Sequence, residues 1–121
     1  MKKIVRDFWN EFTNSPYSNE MEKKYWNKLD VTISDTVKYL IENKIDEKLI
    51  KNIFHGDTRD SQTPYLLKID ESKYEVFESE RGEKYGLHTY TSLEEALFNY
   101  VDTVYNSYGI CSSDSKINSE L

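Results

Sequence analysis

The chain has 121 residues, the size of one ordinary domain, which leaves no room for two independent cores. Asp and Glu outnumber Lys and Arg by 22 to 16, for a net charge of -6; this argues against nucleic acid or an anionic membrane as partner and favours a basic one. Mean hydropathy is only -0.79, yet the chain holds ten Tyr, five Phe and two Trp. Disordered chains are poor in such residues, so a folded protein is expected. The single Cys111 excludes an internal disulfide and multi-cysteine metal sites, and it fits a reducing compartment. Arg6, Asp7 and Glu11 interrupt the opening MKKIVRDFWNEF, which therefore reads as neither signal peptide nor membrane span; a soluble, cytoplasmic protein is expected.

In the first segment Ile4, Phe8 and Phe12 recur at spacing four, with Val5 and Trp9 on the adjacent row, which predicts an amphipathic helix ended by Asn14-Ser15-Pro16. A second helix is predicted near Asn19 to Leu29, with Met21, Tyr25 and Leu29 on one face. A third follows Ser34 as cap, with Val37, Leu40 and Ile41 inward. A fourth, short helix is predicted from a cap at Asp46, with a stripe of Leu49, Ile50, Ile53 and Phe54 and a left-handed stop at Gly56.

The polar run GDTRDSQTP, residues 56–64, reads as a connection. Beyond it, residues alternate in the manner of strands around Tyr65, Leu67 and Ile69 and around Tyr74 and Val76, with Asp70-Glu71-Ser72-Lys73 as a four-residue hairpin loop. Arg81-Gly82-Glu83 marks a second turn, and a third strand places Tyr85, Leu87 and Thr89 on one face and Gly86, His88 and Tyr90 on the other. Ser92 followed by Glu95 is a capping box that opens a last helix, whose apolar residues Leu93, Ala96, Leu97, Tyr100, Val101, Val104, Tyr105 and Tyr108 call for a broad packing partner before a stop at Gly109. The predicted fold is α+β: a helical N-terminal half, then a three-stranded antiparallel sheet packed by the C-terminal helix. Residues 1–110 form the domain in this reading, and residues 111–121 form a mobile polar tail.

Catalytic signatures are sparse. His55 and His88 lack a second His or Cys three or four residues away, so no metal site is expected. With Arg59, Arg81 or a nearby lysine they have the residue types for general acid and base in RNA cleavage, although hydrogen-bonding and helix-capping roles are commoner at such positions. The four glycines match no phosphate-binding pattern, and no cofactor is expected. Trp9 and Trp26 lie on or beside helical stripes and read as packing residues.

The charge, however, is unevenly distributed. Residues 1–56 balance at +1, whereas residues 57–121 carry -7. Asp70, Glu71, Glu75, Glu78, Glu80 and Glu83 crowd the strands, and Glu78 and Glu80 continue the face of Tyr74 and Val76 while Glu75 lies with Phe77. Solubility and edge protection account for such acids. So does an acidic binding surface, with Tyr85 and Tyr90 as aromatic anchors for a basic partner.

The segment from Tyr65 to Val104, with its Glu-Arg-Gly turn and its Ser92-Leu93-Glu94-Glu95-Ala96 helix start, resembles the small immunity proteins of bacterial polymorphic-toxin and contact-dependent growth inhibition systems. The resemblance covers a third of the chain. It implies a cytoplasmic antitoxin, performing no chemistry of its own, that binds a cognate toxin domain and occludes its active site or substrate groove. If that toxin is a nuclease, the acidic surface would stand in for the phosphate backbone. Two other readings remain: a small regulatory or adaptor protein that binds another protein through its N-terminal helices, and a small ribonuclease using His55 and His88.

Overall fold

The structure, a computed structural model, describes residues 1–14, 18–54 and 63–119. Pro16, His55, Gly56 and Arg59 lie outside the described residues, so the stops expected at Pro16 and Gly56 do too. In chain order come α1 (Lys3–Asn14), α2 (Asn19–Tyr25), α3 (Ile33–Glu42), α4 (Asp46–Leu49), β1 (Ile50–Lys51), β2 (Thr63–Asp70), β3 (Lys73–Glu80), β4 (Glu83–Tyr90), α5 (Leu93–Ser107) and α6 (Lys116–Ser119).

The apolar stripe of α1 is buried as Val5, Phe8, Trp9 and Phe12, with Ile4 left partly exposed at its margin. Phe8 is the centre of an aromatic cluster. Its ring meets Trp9, Tyr25 and Tyr108 edge-on at 5.2, 5.2 and 5.1 Å and stacks on Phe12 at 5.9 Å, geometries that suit the charge distribution of aromatic rings. A polar chain ties three helices together through this core. Trp9 Nε1 donates to the Tyr105 hydroxyl at 3.0 Å, that hydroxyl lies 2.8 Å from Thr36 Oγ1, and Thr36 Oγ1 reaches the Thr32 carbonyl at 2.9 Å. Trp9 Nε1, the Tyr105 hydroxyl and Thr36 Oγ1 are thus each paired, as burial demands.

Several predicted boundaries move. The second helix ends at Tyr25 rather than Leu29, because Asn27 takes a left-handed φ of 53° and its amide bonds the Tyr108 carbonyl; Leu29 is buried all the same. The cap of α3 is Thr32, two residues before Ser34, with Thr32 Oγ1 accepting from the Asp35 amide. Asp46 is not a cap but the first residue of α4, and that helix stops after four residues. Ile50 then turns extended and pairs with Leu66, so the predicted three-stranded sheet has a fourth strand: β1 runs parallel to β2, and the order is β1-β2-β3-β4. The hairpin between β2 and β3 has two loop residues, Glu71 and Ser72, since Asp70 pairs with Lys73.

Leu66, Tyr74 and Val76 share one face of the sheet and join the buried residues of α1, α2, α3 and α5 in a single core. The first-half helices therefore lie on the same side as α5 and not on the opposite face. The opposite face carries a separate cluster of Phe54, Tyr65 and Phe77, with Tyr65 stacked on Phe77 at 5.3 Å.

The start of α5 shows one arm of the expected capping box: the Glu95 amide donates to Ser92 Oγ at 3.4 Å, while among the described residues no return bond from the Ser92 amide to the Glu95 carboxylate is formed. Its end needs a glycine for two reasons. Gly109 has φ of 65°, and a Cβ there would stand 2.7 Å from the Trp26 ring. Trp26 accordingly packs on the helix end while remaining 50% exposed.

The segment after Cys111, read as a mobile tail, has a defined course through Ile117. Asp102, buried on α5, accepts from Ser115 Oγ at 2.6 Å and from the amides of Lys116 and Ile117 at 2.9 and 3.2 Å. Asp114 accepts from the amides of Ile33 and Ser34 at 2.8 and 2.9 Å, which completes the capping of α3 from 80 residues away. Polar composition argued for solvation; here Asp114 accepts from the α3 amides that Thr32 leaves open, and Asp102 of α5 accepts from those that open α6.

Candidate functional site

The turn Arg81-Gly82 has φ of 53° and 82°, the geometry of a two-residue hairpin turn whose twist matches the strands it joins. It fixes Glu80 opposite Glu83 and Glu78 opposite Tyr85, whereas farther along Val76 faces His88 and Tyr74 faces Tyr90. These two registers differ by one residue. The difference is absorbed by a bulge at Gly86, φ 61°, where β4 has one residue more than β3. Tyr85 consequently sits on the face of His88 and Tyr90, not with Leu87 and Thr89 as strict alternation predicts.

That face looks toward α5 and α6, and between them lies a cleft of about 440 Å³. Its strand wall carries Glu78, Tyr85, His88 and Tyr90; its helix wall carries Asn99, Thr103 and Asn106 of α5 and Lys116 of α6. The α5 residues are spaced four and three apart, a polar stripe beside the apolar one, and this spacing is the signal by which they could have been found. Lys116 and Ile117 had no such signal, because only the bonds to Asp102 place them there.

The eight expected binding residues separate into three groups. Glu78, Glu80, Glu83, Tyr85 and Tyr90 gather on the cleft face or at its turn; the Tyr85 hydroxyl donates to Glu83 Oε2 at 3.3 Å. The negative charge of Glu83 is the main reason the Tyr85 hydroxyl titrates above the ordinary phenol range, with Glu80 adding to it. Burial, followed by Glu95, raises Tyr90. Glu75 is on the opposite sheet face, only 13% exposed, and its Oε1 takes an ion pair at 2.9 Å from Lys84, whose ammonium also lies 4.8 Å from the centre of the Phe77 ring. It is neutralised internally and belongs to no common surface with Glu78. Asp70 and Glu71 are at the other hairpin, beyond the opposite end of β3, about 23 Å away at ~3.3 Å per residue. Asp70 Oδ1 accepts from the Ser72 amide there, and Glu71 stands 3.9 Å from Lys68.

Of the residues considered for catalysis, His88 lines the cleft, and His55 lies outside the described residues. Cys111 is exposed. Among the described residues no group of three or more His, Cys, Asp and Glu converges as a metal site, and no helix is long and apolar enough to cross a membrane. The N-terminal helices, considered as an adaptor surface, have their apolar stripes in the core. Comparison with protein-family models, curated proteins and solved structures finds no match.

Proposed function

We propose that the protein is an immunity protein that binds a toxin domain through the β3–β4 corner and the adjoining cleft. The observation that carries this reading is the gathering of Glu78, Glu80 and Glu83 with Tyr85 and Tyr90 on the cleft side of the β3–β4 corner. Carboxylates there speed encounter with a basic groove, and tyrosines beside them bury area at low entropic cost. A nuclease toxin, whose groove is built to hold phosphates, has the matching charge.

The test is binding to the toxin domain encoded beside this gene, measured by calorimetry at two salt concentrations. Replacing Glu78, Glu80 and Glu83 together by Lys is expected to weaken the complex about a hundredfold and to remove most of its salt dependence. Unchanged affinity in the folded triple variant overturns the reading. A second reading has one observation in its favour, the presence of both His88 and Glu78 in the cleft lining; it requires that the purified protein cleave RNA and that His88→Ala abolish the cleavage.

A further inference from the structure

We propose that the cleft between β4 and α5 is a receptor for one guanidinium group, an arginine side chain delivered by the protein partner. The inference rests on the preceding reading for the source of that arginine, while the chemistry comes from the cleft itself. Three of its side chains spend a proton on groups at hand and leave an acceptor open. Asn99 gives an amide proton to the Glu95 carbonyl at 3.0 Å, which leaves its own side-chain oxygen as acceptor. Thr103 Oγ1 gives its proton to the Asn99 carbonyl at 2.9 Å, and Tyr85 gives its proton to Glu83. Both hydroxyls then have only lone pairs to offer.

Glu78 makes no hydrogen bond or ion pair with any other described residue. The cationic group on the wall, Lys116, is drawn over the Phe98 ring at 5.1 Å. A ligand that meets Glu78 and these three acceptors brings donors and positive charge. Guanidinium has five donors and no acceptor, pairs in a two-pronged fashion with a carboxylate, and stacks on tyrosine, which the Tyr85 and Tyr90 sides provide. An ammonium group would use the charge but not the planar fork.

The test is an NMR titration of the isotope-labelled full chain with N-acetyl-arginine amide. Saturable shifts are expected at the backbone amide of Gly86 and the side-chain amides of Asn99 and Asn106. N-acetyl-citrulline amide, the uncharged isostere, should bind about tenfold more weakly or not at all, and N-acetyl-lysine amide in between. Glu78→Gln should lose about tenfold in affinity with an otherwise unchanged spectrum, while Glu71→Gln at the far hairpin should lose nothing. Shifts absent at these groups, equal for citrulline, or produced instead by inorganic phosphate overturn the proposal. Failure of the two readings is separable: loss of toxin binding in the Lys triple variant without any arginine response removes the cleft proposal alone, and an arginine response with no toxin capture removes the immunity reading alone.

Discussion

Helix α5 borders two regions built from the same kinds of side chain with opposite outcomes. On its inner side, Trp9, Tyr105 and Thr36 close their hydrogen bonds on one another, and burial pushes the Tyr105 hydroxyl up to about 12 even though both partners pull it down. On its cleft side, Asn99, Thr103 and Tyr85 direct their protons to groups at hand and leave acceptors facing a space. A closed polar network adds order to a core; an open one has affinity to offer. Stability and binding should therefore be separable by mutation.

The widest gap between the regions is expected from Phe8→Ala. Removing the ring at the centre of the aromatic cluster should cost about 4 kcal/mol by denaturant unfolding, whereas the Lys triple variant at the corner should stay within about 0.5 kcal/mol per site of the wild type. If Phe8→Ala were as mild as the corner changes, the core would not be where the structure puts it. A smaller loss, about 2 kcal/mol, is expected from Asp102→Ala, which removes the acceptor of the Ser115 hydroxyl and of the Lys116 and Ile117 amides. Because those residues form part of the cleft wall, this variant joins the two regions: amide exchange should quicken at Lys116 and Ile117.

The smallest effect concerns Asp114. Burial alone would raise its carboxyl, but the bonds from Ile33 and Ser34 prevail and hold its pKa below the ordinary carboxylate range. A folded-state pKa below the unfolded one contributes stability that is fully present above the unfolded value, near ~4, and is lost as pH falls through the folded value. Asp114→Asn should thus cost about 1 kcal/mol near neutrality, and its difference from wild type should shrink as the denaturant midpoint is followed down to acid pH. A difference that is constant with pH would mean that the carboxylate charge is not what caps α3.

Much of the candidate site is legible in the sequence, and its two departures have separate causes, an ion pair and a bulge. Glu78, Glu80 and Glu83 flank a turn whose chemistry is local, so their grouping followed from the hairpin. Glu75 was grouped with them although period two already put it with Phe77; only the contact with Lys84 shows that its charge is matched. Tyr85 was assigned to the wrong face because the bulge at Gly86 is a compromise between a register set by the turn and one set by the paired tyrosines.

The sequence by itself determined the apolar faces of α1 and α5, the strands β2 to β4 and the cap at Ser92, since each depends on residues within a few positions of one another. It also determined where the acidic excess lies. The tertiary structure alone decided that Ile50 and Lys51 leave a helical pattern to pair with β2, that Asp102 holds the C-terminal segment while Asp114 of that segment caps α3, and that a polar stripe of α5 faces Glu78 across a cleft. These arrangements join groups far apart in the chain, and their energy exists only once the sheet and helices have brought the partners within hydrogen-bonding distance.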